Sequence, residues 1–596
     1  MPDTRRKAKA VLAVLALLVF ASPLSGASGD AEAAFREGRA ALLHGDGVAA
    51  EIALRRALAA GAQKPAIAAW MGEAYLDQGD LDAAREWLEP GRFTVANRQH
   101  GFHMLARLEM ADGDLAAAGA AFDKALEGGQ GTAEIWVDIG RMRYRGGEHH
   151  QALEAADTAL RLDGRNLRAI EFRGQLVRDA QGLIVSLPWF ERGLKLAPDD
   201  LSLLGEYAAT LGEIGRASDM LRVTRHMIEL DGSNPRAFYL QAVLAARVGN
   251  FNLARRLLYR AGDKLAQVPA AMMLEGILEM QAGNWALAVD AFDELARLQP
   301  NNDRIVLLLG RAMLENGDGS EVVARYRALA DGPGASPYLL TLVGRAFEQD
   351  DDRASAAPFL DRAARGPSMA VLPLAVGKDG ELALFRYGDD PYRIDAAVPR
   401  LRKLLAAGDG AGAAGVVETL TRRYPGSADI ETLAGDVALA RGDGASAMRA
   451  YASAAQVSRP YTLMTRMVAA LRIGGQEAAA RKLAADFLRQ HPQDGEAAEF
   501  LARLDIQRGD WKRAEALLDY AQVLRGGGRD PLLYATLAEA KLRLGDGAAA
   551  LDDAQDAFAM QRANPAVDLV LAQVLRQAGR TGEANALMAK LQRLPG

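Results

Sequence analysis

A glycine recurs every 34 residues along most of this chain, and that spacing limits what the chain can fold into. Counted in repeats of 34 from Ala31, the fifteenth place is glycine in 14 of 16 repeats. The series is Gly45, Gly79, Gly113, Gly147, Gly215, Gly249, Gly283, Gly317, Gly408, Gly442, Gly475, Gly509, Gly545 and Gly579. A fixed period of this length predicts stacked units that share one continuous core. The 596 residues therefore form a repeat array and not a string of unlike domains.

Each repeat has the start and stop signals of two helices joined by a tight turn. Residues 269–302 predict a first helix from Pro269 to about Ala282 and a second from about Trp285 to Leu298. Proline suits the first turn of a helix, and the Gly283-Asn284 pair tolerates the left-handed backbone of a sharp reversal. No β-branched alternation is present within the repeats, which excludes a β-helix or a propeller.

Two further places of the repeat are reserved for small residues. The twentieth is alanine in 13 of 16 repeats, the exceptions being Ser186, Met220 and Val322. The eighth is small in 14 repeats, as Gly38, Gly72, Gly140, Gly174, Gly276, Gly310, Gly344, Gly435, Ala106, Ala208, Ala242, Ala502, Ala538 and Ala572. Small residues at fixed heights predict close approach of the two helices. Larger side chains are expected to fill the groove to the neighbouring repeat, namely Leu88, Phe122, Phe190, Phe292 and Tyr451.

These places resemble the consensus of the tetratricopeptide repeat family, which has Trp, Leu, Gly and Tyr in the first helix and Ala, Phe, Ala and Pro in the second. Repeats starting at Pro65, Thr132/Ala133, Pro269 and Ala428 match best, and those starting at Leu167, Leu201 and Ile394 are degenerate. The resemblance covers residues 31–596. It implies an all-α, right-handed α-solenoid of about 16 helix hairpins that binds other proteins on its concave face.

One segment, residues 367–393, breaks the period. Two short apolar runs flank Gly377-Lys378-Asp379-Gly380, which predicts a β-hairpin. The chain is thus divided into a leader over 1–27, a solenoid over 31–366, this insertion, and a second solenoid segment over 394–596. The insertion is either a tolerated loop or a partner-contact or hinge element, in which case Phe385, Tyr387 and Tyr392 make the contact.

The groove that the resemblance implies is lined by places such as the ninth and twelfth of the first helices. Place nine is arginine in seven repeats, at Arg39, Arg107, Arg141, Arg311, Arg345, Arg402 and Arg503. Place twelve is mostly apolar. Guanidinium groups on an apolar floor suit an extended acidic peptide or an anionic glycan, since each can form a bidentate pair with a carboxylate. In the alternative interpretation these arginines are solvated or paired with Glu73, Glu109 or Asp436.

The first 27 residues predict a secretory signal peptide. Arg5, Arg6, Lys7 and Lys9 precede an apolar run over 10–21, and Ser25 and Ala27 suit a cleavage site. Twelve apolar residues are short of the ~20 that span a bilayer, so an uncleaved anchor is the weaker alternative. The chain has no cysteine, which excludes disulfides and a lipoprotein anchor. We therefore expect a periplasmic protein without a membrane span after cleavage.

Motifs for chemistry are lacking or fail on context. The string over 410–415 matches a dinucleotide fingerprint by letters, but a helix precedes it where a strand is required. His100, His103 and His149-His150 complete no metal pattern. A net charge of -6 gives no drive toward nucleic acid. We expect no catalytic residue, cofactor or metal, and a scaffold for envelope proteins in exopolysaccharide synthesis or export, or in secretion. Binding of an anionic polysaccharide in the arginine-lined groove is the alternative.

Overall fold

The computed structural model describes residues 29–300, 302–332, 335–364, 394–524, 530–562 and 564–592, and these form 32 α-helices and one short 3-10 turn. The helices follow one another in pairs. No strand is found in these ranges. The predicted β-hairpin over 367–393, with Phe385, Tyr387 and Tyr392, lies outside the described residues, as does the predicted signal peptide.

The helix pairs are numbered here as repeats 1–16. Repeats 1–8 consist of Gly29–Leu43 with Gly47–Ala59, Lys64–Gln78 with Leu81–Leu88, Arg98–Asp112 with Leu115–Leu126, Ala133–Arg145 with His149–Leu162, Leu167–Gln181 with Leu183–Leu196, Leu201–Glu213 with Ala217–Leu230, Pro235–Arg247 with Phe251–Ala261, and Pro269–Ala282 with Trp285–Leu298. The 3-10 turn, Asp263–Leu265, follows repeat 7. In repeat 8 both helices have the bounds that the sequence predicts.

Repeats 9–16 continue the same pairing. They consist of Asp303–Asn316 with Gly319–Asp331, Pro337–Gln349 with Arg353–Ala364, Ile394–Ala406 with Gly410–Arg423, Ala428–Ala440 with Gly444–Ala454, Tyr461–Ile473 with Glu477–Gln490, Gly495–Gln507 with Trp511–Leu524, Pro531–Leu544 with Gly547–Met560, and Pro565–Gln577 with Thr581–Leu591. The all-α solenoid of helix pairs is confirmed.

The turn inside each repeat depends on the residue at place fifteen. All 14 glycines at that place have φ between 69° and 96°, a region that L-residues with a Cβ atom avoid. Repeat 10 has Asp351 instead, at φ 59°, the one non-glycine with positive φ among the described residues. The recurring glycine of the sequence is therefore the backbone reversal between the two helices.

The residue after that reversal usually caps the second helix. Its side-chain oxygen accepts the backbone N–H three residues on, which is one of the donors that a helix N-terminus leaves without an intrahelical partner. The caps of this kind are Asp46, Asp80, Asp114, Asn250, Asp352, Asp409, Asp443, Asp510 and Asp546. Turn and cap together fix where each second helix starts.

Place twenty is buried in every repeat, whether it is alanine, Ser186, Met220 or Val322. Place eight faces a large side chain of the second helix. A Cβ atom at Gly276 would lie 2.5 Å from Cε1 of Phe292, and one at Gly174 2.8 Å from Cε1 of Phe190. The large side chain sixteen residues on thus lies against the glycine of its own repeat, and Phe292 also belongs to an apolar cluster with Ile305 and Leu309 of the next repeat.

The chain divides into two compact units between Arg173 and Gly174. The N-terminal unit holds repeats 1–4 and the start of repeat 5, and the C-terminal unit holds the remainder. Within each unit the core is a series of local apolar clusters, for example one around Ile67 and Met71 and another around Phe292 and Leu309. Among the described residues no helix is long and apolar enough to cross a bilayer.

Candidate binding site on the first helices of the N-terminal unit

The seven arginines at place nine all lie on first helices. Arg39, Arg107 and Arg141 belong to the N-terminal unit, and Arg311, Arg345, Arg402 and Arg503 belong to the C-terminal unit. Arg345 is exposed, whereas the other six are partly buried. Since they share a place in the repeat, their surroundings decide which of them is available to a ligand.

Two of the seven are paired within their own helix. Arg345 forms an ion pair with Glu348, and Arg503 forms one with Glu499. These two follow the alternative interpretation of local pairing, with partners other than the three predicted. Asp436 instead binds Arg466 at 2.9 Å and accepts a hydrogen bond from Tyr451. Arg311 is different, because its buried Nε has no hydrogen-bond partner among the described residues.

Arg39 belongs to an aromatic stack that crosses three repeats. Its guanidinium carbon lies 4.5 Å from the centre of the Trp70 ring, and the His100 ring stacks on Trp70 at 3.9 Å. The stack is anchored by Glu73, whose Oε2 lies 2.8 Å from His100 Nε2. Burial opposes the ionisation of Glu73, but the hydrogen bond from His100 lowers its pKa overall. This arrangement holds Arg39 in place by cation–π attraction.

A second cluster of polar groups, from repeats 3–5, surrounds a buried carboxylate. His103 Nε2 lies 2.8 Å from Oδ2 of Asp138, and Arg168 Nη2 binds the other carboxylate oxygen at 2.7 Å. Burial favours the neutral acid, yet the hydrogen bond from His103 and the charge of Arg168 lower the pKa of Asp138 to about 2. Burial lowers the pKa of His103. Asp138 is therefore an anion with both oxygens occupied, and a neutral His103 donates its Nε2–H to it.

Arg107 and Arg141 lie on either side of Asp138 in the chain and find weaker partners. The nearest carboxylate oxygen to Arg107, from Asp77, is 3.9 Å away, and its Nη1 contacts the sulfur of Met104 at 3.5 Å. Arg141 lies over the Phe172 ring, 5.8 Å from its centre. It donates no hydrogen bond and forms no direct ion pair among the described residues, and the carboxylates of Asp138 and Glu171 attract it only from further away. Burial lowers the pKa of Arg141. We refer to these two guanidinium groups as the Arg107–Arg141 site.

Two guanidinium groups in this state have the chemistry to pair with carboxylates. A partly buried cation with an aromatic face and no directly paired anion has lost hydration without full compensation. An incoming carboxylate restores that loss through charge-assisted hydrogen bonds. Arg145 and Arg168 add positive charge nearby, but both already have partners. Arg145 donates a hydrogen bond to the carbonyl of Met110, and Arg168 binds Asp138.

Sequence reasoning missed Trp70, Asp138 and Arg168. A signal for one of these contacts exists, because residues 30 apart recur as ion pairs between neighbouring first helices. They are Asp138 with Arg168, Glu206 with Arg236, and Asp436 with Arg466. A separation of 30 residues is about one helical turn shorter than the repeat of 34. The first helices of adjacent repeats therefore lie side by side, shifted along their axes by about one turn.

Metal binding finds no support in this region. His100 pairs with Glu73, and His103 pairs with Asp138. In the part of the chain that the structure describes, no three His, Asp or Glu side chains converge on a point where an ion could sit. His149 lies with its ring 4.8 Å from that of Tyr144.

The buried pair of His103 and Asp138 gives a pH dependence of stability. The folded pKa of His103 is lowered, so the unfolded chain takes up a proton first as pH falls through about 6.5. The stabilising contribution of the neutral, buried His103 is fully present above that pH and is lost as the pH falls below it. We expect the urea midpoint to fall between pH 7.5 and pH 5.5, and to fall less in His103→Gln, whose amide can still donate to Asp138. Equal falls in both proteins would show that His103 does not titrate in this way.

Profiles of the tetratricopeptide repeat match residues 41–108, 103–200, 239–303, 273–338 and 400–461, together more than half of the chain. A curated relative, cellulose synthase operon protein C of Xanthomonas axonopodis pv. citri (strain 306), is 25% identical over 307 residues. That match takes in 49% of this chain but only 19% of the relative, about a fifth of its length.

Two solved structures are among those similar to this chain at low identity. A chain of the APC/C hetero-tetramer Cut9-Hcn1 is 13% identical with a TM-score of 0.35, and the match covers 98% of this chain and 95% of that one. PilW, described as a widely conserved type IV pilus biogenesis factor, is 20% identical with a TM-score of 0.29, over 33% of this chain and 94% of its own.

Proposed function

Because the chain belongs to the tetratricopeptide repeat family, we propose that it is a non-catalytic scaffold that binds other proteins of the bacterial cell envelope. The similarity to cellulose synthase operon protein C supports a place beside exopolysaccharide synthesis or export. The leader-like first 27 residues support a periplasmic location. Secretion is the other envelope process that fits a scaffold of this kind.

The observation that carries the proposal is the state of Arg141. The Arg141 guanidinium lies over Phe172 and has no directly paired carboxylate among the described residues, although Asp138 and Glu171 attract it from further away. Arg345 and Arg503 already have carboxylates in direct contact. Arg107, at the same place of the preceding repeat, offers a second cation. An extended segment with acidic side chains fits this spacing, since it can place one carboxylate at each first helix as it crosses the repeats.

The test is photocrosslinking in living cells. A photoreactive residue replaces Tyr144, three residues from Arg141 on the same helix, and crosslinked envelope proteins are identified by mass spectrometry. We expect one or two proteins to be captured. In an Arg141→Ala background the yield should fall about 10- to 100-fold, as expected for loss of 1.4 to 2.8 kcal/mol of binding. The matched control, Arg345→Ala, removes an exposed and already paired arginine and should leave the yield unchanged.

Capture of no envelope protein, or equal capture with and without Arg141, would overturn the proposal. Label retained by carbohydrate instead of protein would favour the second candidate, binding of an anionic glycan. That function predicts salt-sensitive binding to a uronate polymer, lost when Arg107, Arg141 and Arg311 are replaced together. The unpartnered Nε of Arg311 is the observation that favours including it.

A further inference from the structure

The turn of repeat 5 departs from that of most other repeats. Place fifteen is Gln181, and the glycine follows one residue later as Gly182, with φ 112°. Gly182 is the N-cap of the second helix and has no side chain with which to cap it. The Ile184 N–H, in the first turn of that helix, therefore receives no capping side chain from position 182.

Two backbone groups at this turn form hydrogen bonds with a distant part of the same unit. Gln490, 306 residues further along, accepts a hydrogen bond from Ile184 N–H through its Oε1 at 3.1 Å. The backbone N–H of Arg459 donates to the Asp179 carbonyl at 3.4 Å. Arg459 precedes the first helix of repeat 13 and Gln490 ends its second helix. Residues at the two borders of repeat 13 thus form hydrogen bonds with the turn of repeat 5.

Gly182 is needed for this contact for a second reason. A Cβ atom at position 182 would lie 2.7 Å from Cβ of Gln490, closer than two carbon atoms can approach without a shift. The degenerate sequence of repeat 5 therefore matches a docking role. A regular turn with a side chain at this point would keep repeat 13 away.

The contact is small. The apolar cluster around Leu187 and Leu204 and the one around Met464 and Phe487 share no residue, and the two hydrogen bonds use only backbone groups and one amide side chain. Breaking them exposes no core. In a solenoid each repeat contacts mainly its neighbours, so small rotations accumulate over the repeats between 5 and 13 and can separate the two ends.

We propose that this contact is a latch. In its closed form repeat 5 is in contact with repeat 13, and in its open form this contact is broken and the intervening repeats change their spacing while every helix pair stays folded. The closed and open forms exchange in the free protein, and a partner that fits only the wider spacing shifts the population to the open form. This inference is independent of the Arg107–Arg141 site.

The absence of cysteine from the sequence makes the test direct. Lys195→Cys and Lys482→Cys, both on the second helices of repeats 5 and 13, carry nitroxide labels in the full-length chain. Electron–electron double resonance should give a short distance for the closed form. Adding Gly182→Ala should abolish or strongly reduce that peak in favour of longer distances.

The matched control is Gly249→Ala. Gly249 also has positive φ, at 77°, but a Cβ atom there would meet nothing within 4 Å, so it reproduces the backbone strain without blocking a contact. It should leave the short distance in place. Gln490→Ala, which removes the acceptor from the other side, should reduce the short distance as Gly182→Ala does, with unchanged helical circular dichroism. A short distance that persists in both Gly182→Ala and Gln490→Ala, or is absent from the parent protein, would overturn the latch.

Discussion

Replacing Arg481 with alanine should lower the free energy of unfolding by about 2–4 kcal/mol, since a buried carboxylate would lose its main counterion. Asp505 is fully buried on the first helix of repeat 14. Arg481, on the preceding helix, binds it through both Nε and Nη2, the latter at 3.3 Å. Arg513, on the following helix, reaches the same carboxylate at 3.3 Å. One anion therefore joins three consecutive helices, and the remaining arginine compensates only in part.

The control for Arg481 lies on the same helix. Arg489 pairs with Asp486 three residues away, and both side chains are exposed, so Arg489→Ala should cost less than about 1 kcal/mol. Urea unfolding followed by circular dichroism compares the two variants. Equal effects of the two substitutions would mean that Asp505 does not depend on Arg481 for its charge.

Gly276→Ala should lower the free energy of unfolding by about 1–3 kcal/mol, even though alanine favours a helix more than glycine does. The added methyl group would lie 2.5, 2.7 and 2.9 Å from three atoms of the Phe292 ring. Phe292 is fully buried, so the ring cannot move away without disturbing its neighbours. The overpacking term exceeds the gain of up to about 1 kcal/mol from helix propensity.

A second helical glycine separates the effect of helix propensity from the effect of overpacking. Gly415 lies within the helix Gly410–Arg423 and is exposed, and a Cβ atom at this position would meet nothing within 4 Å. Gly415→Ala should therefore raise stability by about 0.5–1 kcal/mol. Opposite signs for the two substitutions in urea melts are the expected result. If both variants are more stable than the parent protein, place eight does not need a glycine.

The local part of the fold follows from the sequence because its causes are local. The reversal at Gly283 and the proline at 269 set both helices of repeat 8 to the residue. The same reasoning places Asp351 at the turn of repeat 10, where the structure has a left-handed aspartate. Each of these outcomes depends on backbone preferences of one or two residues.

The candidate site could be predicted only in part. Place nine identifies all seven arginines, but pairing depends on which side chains neighbouring repeats bring alongside, and these differ from one repeat to the next. Arg141 and Arg345 cannot be told apart by their place in the repeat. The docking of repeat 13 on repeat 5 depends on how rotations add up over many repeats, which no local pattern encodes.

The capping aspartates have a consequence for the surface of the array. Eight of the nine caps at the start of second helices are carboxylates, at Asp46, Asp80, Asp114, Asp352, Asp409, Asp443, Asp510 and Asp546. Each is stabilised by the positive end of its own helix. Within each unit these aspartates stand at the turn ends of their repeats and place fixed negative charges there, although Arg216 and Arg580 take the same place in two other repeats. Acidic polymers are repelled by these aspartates within a Debye length of about 10 Å at 0.1 M salt.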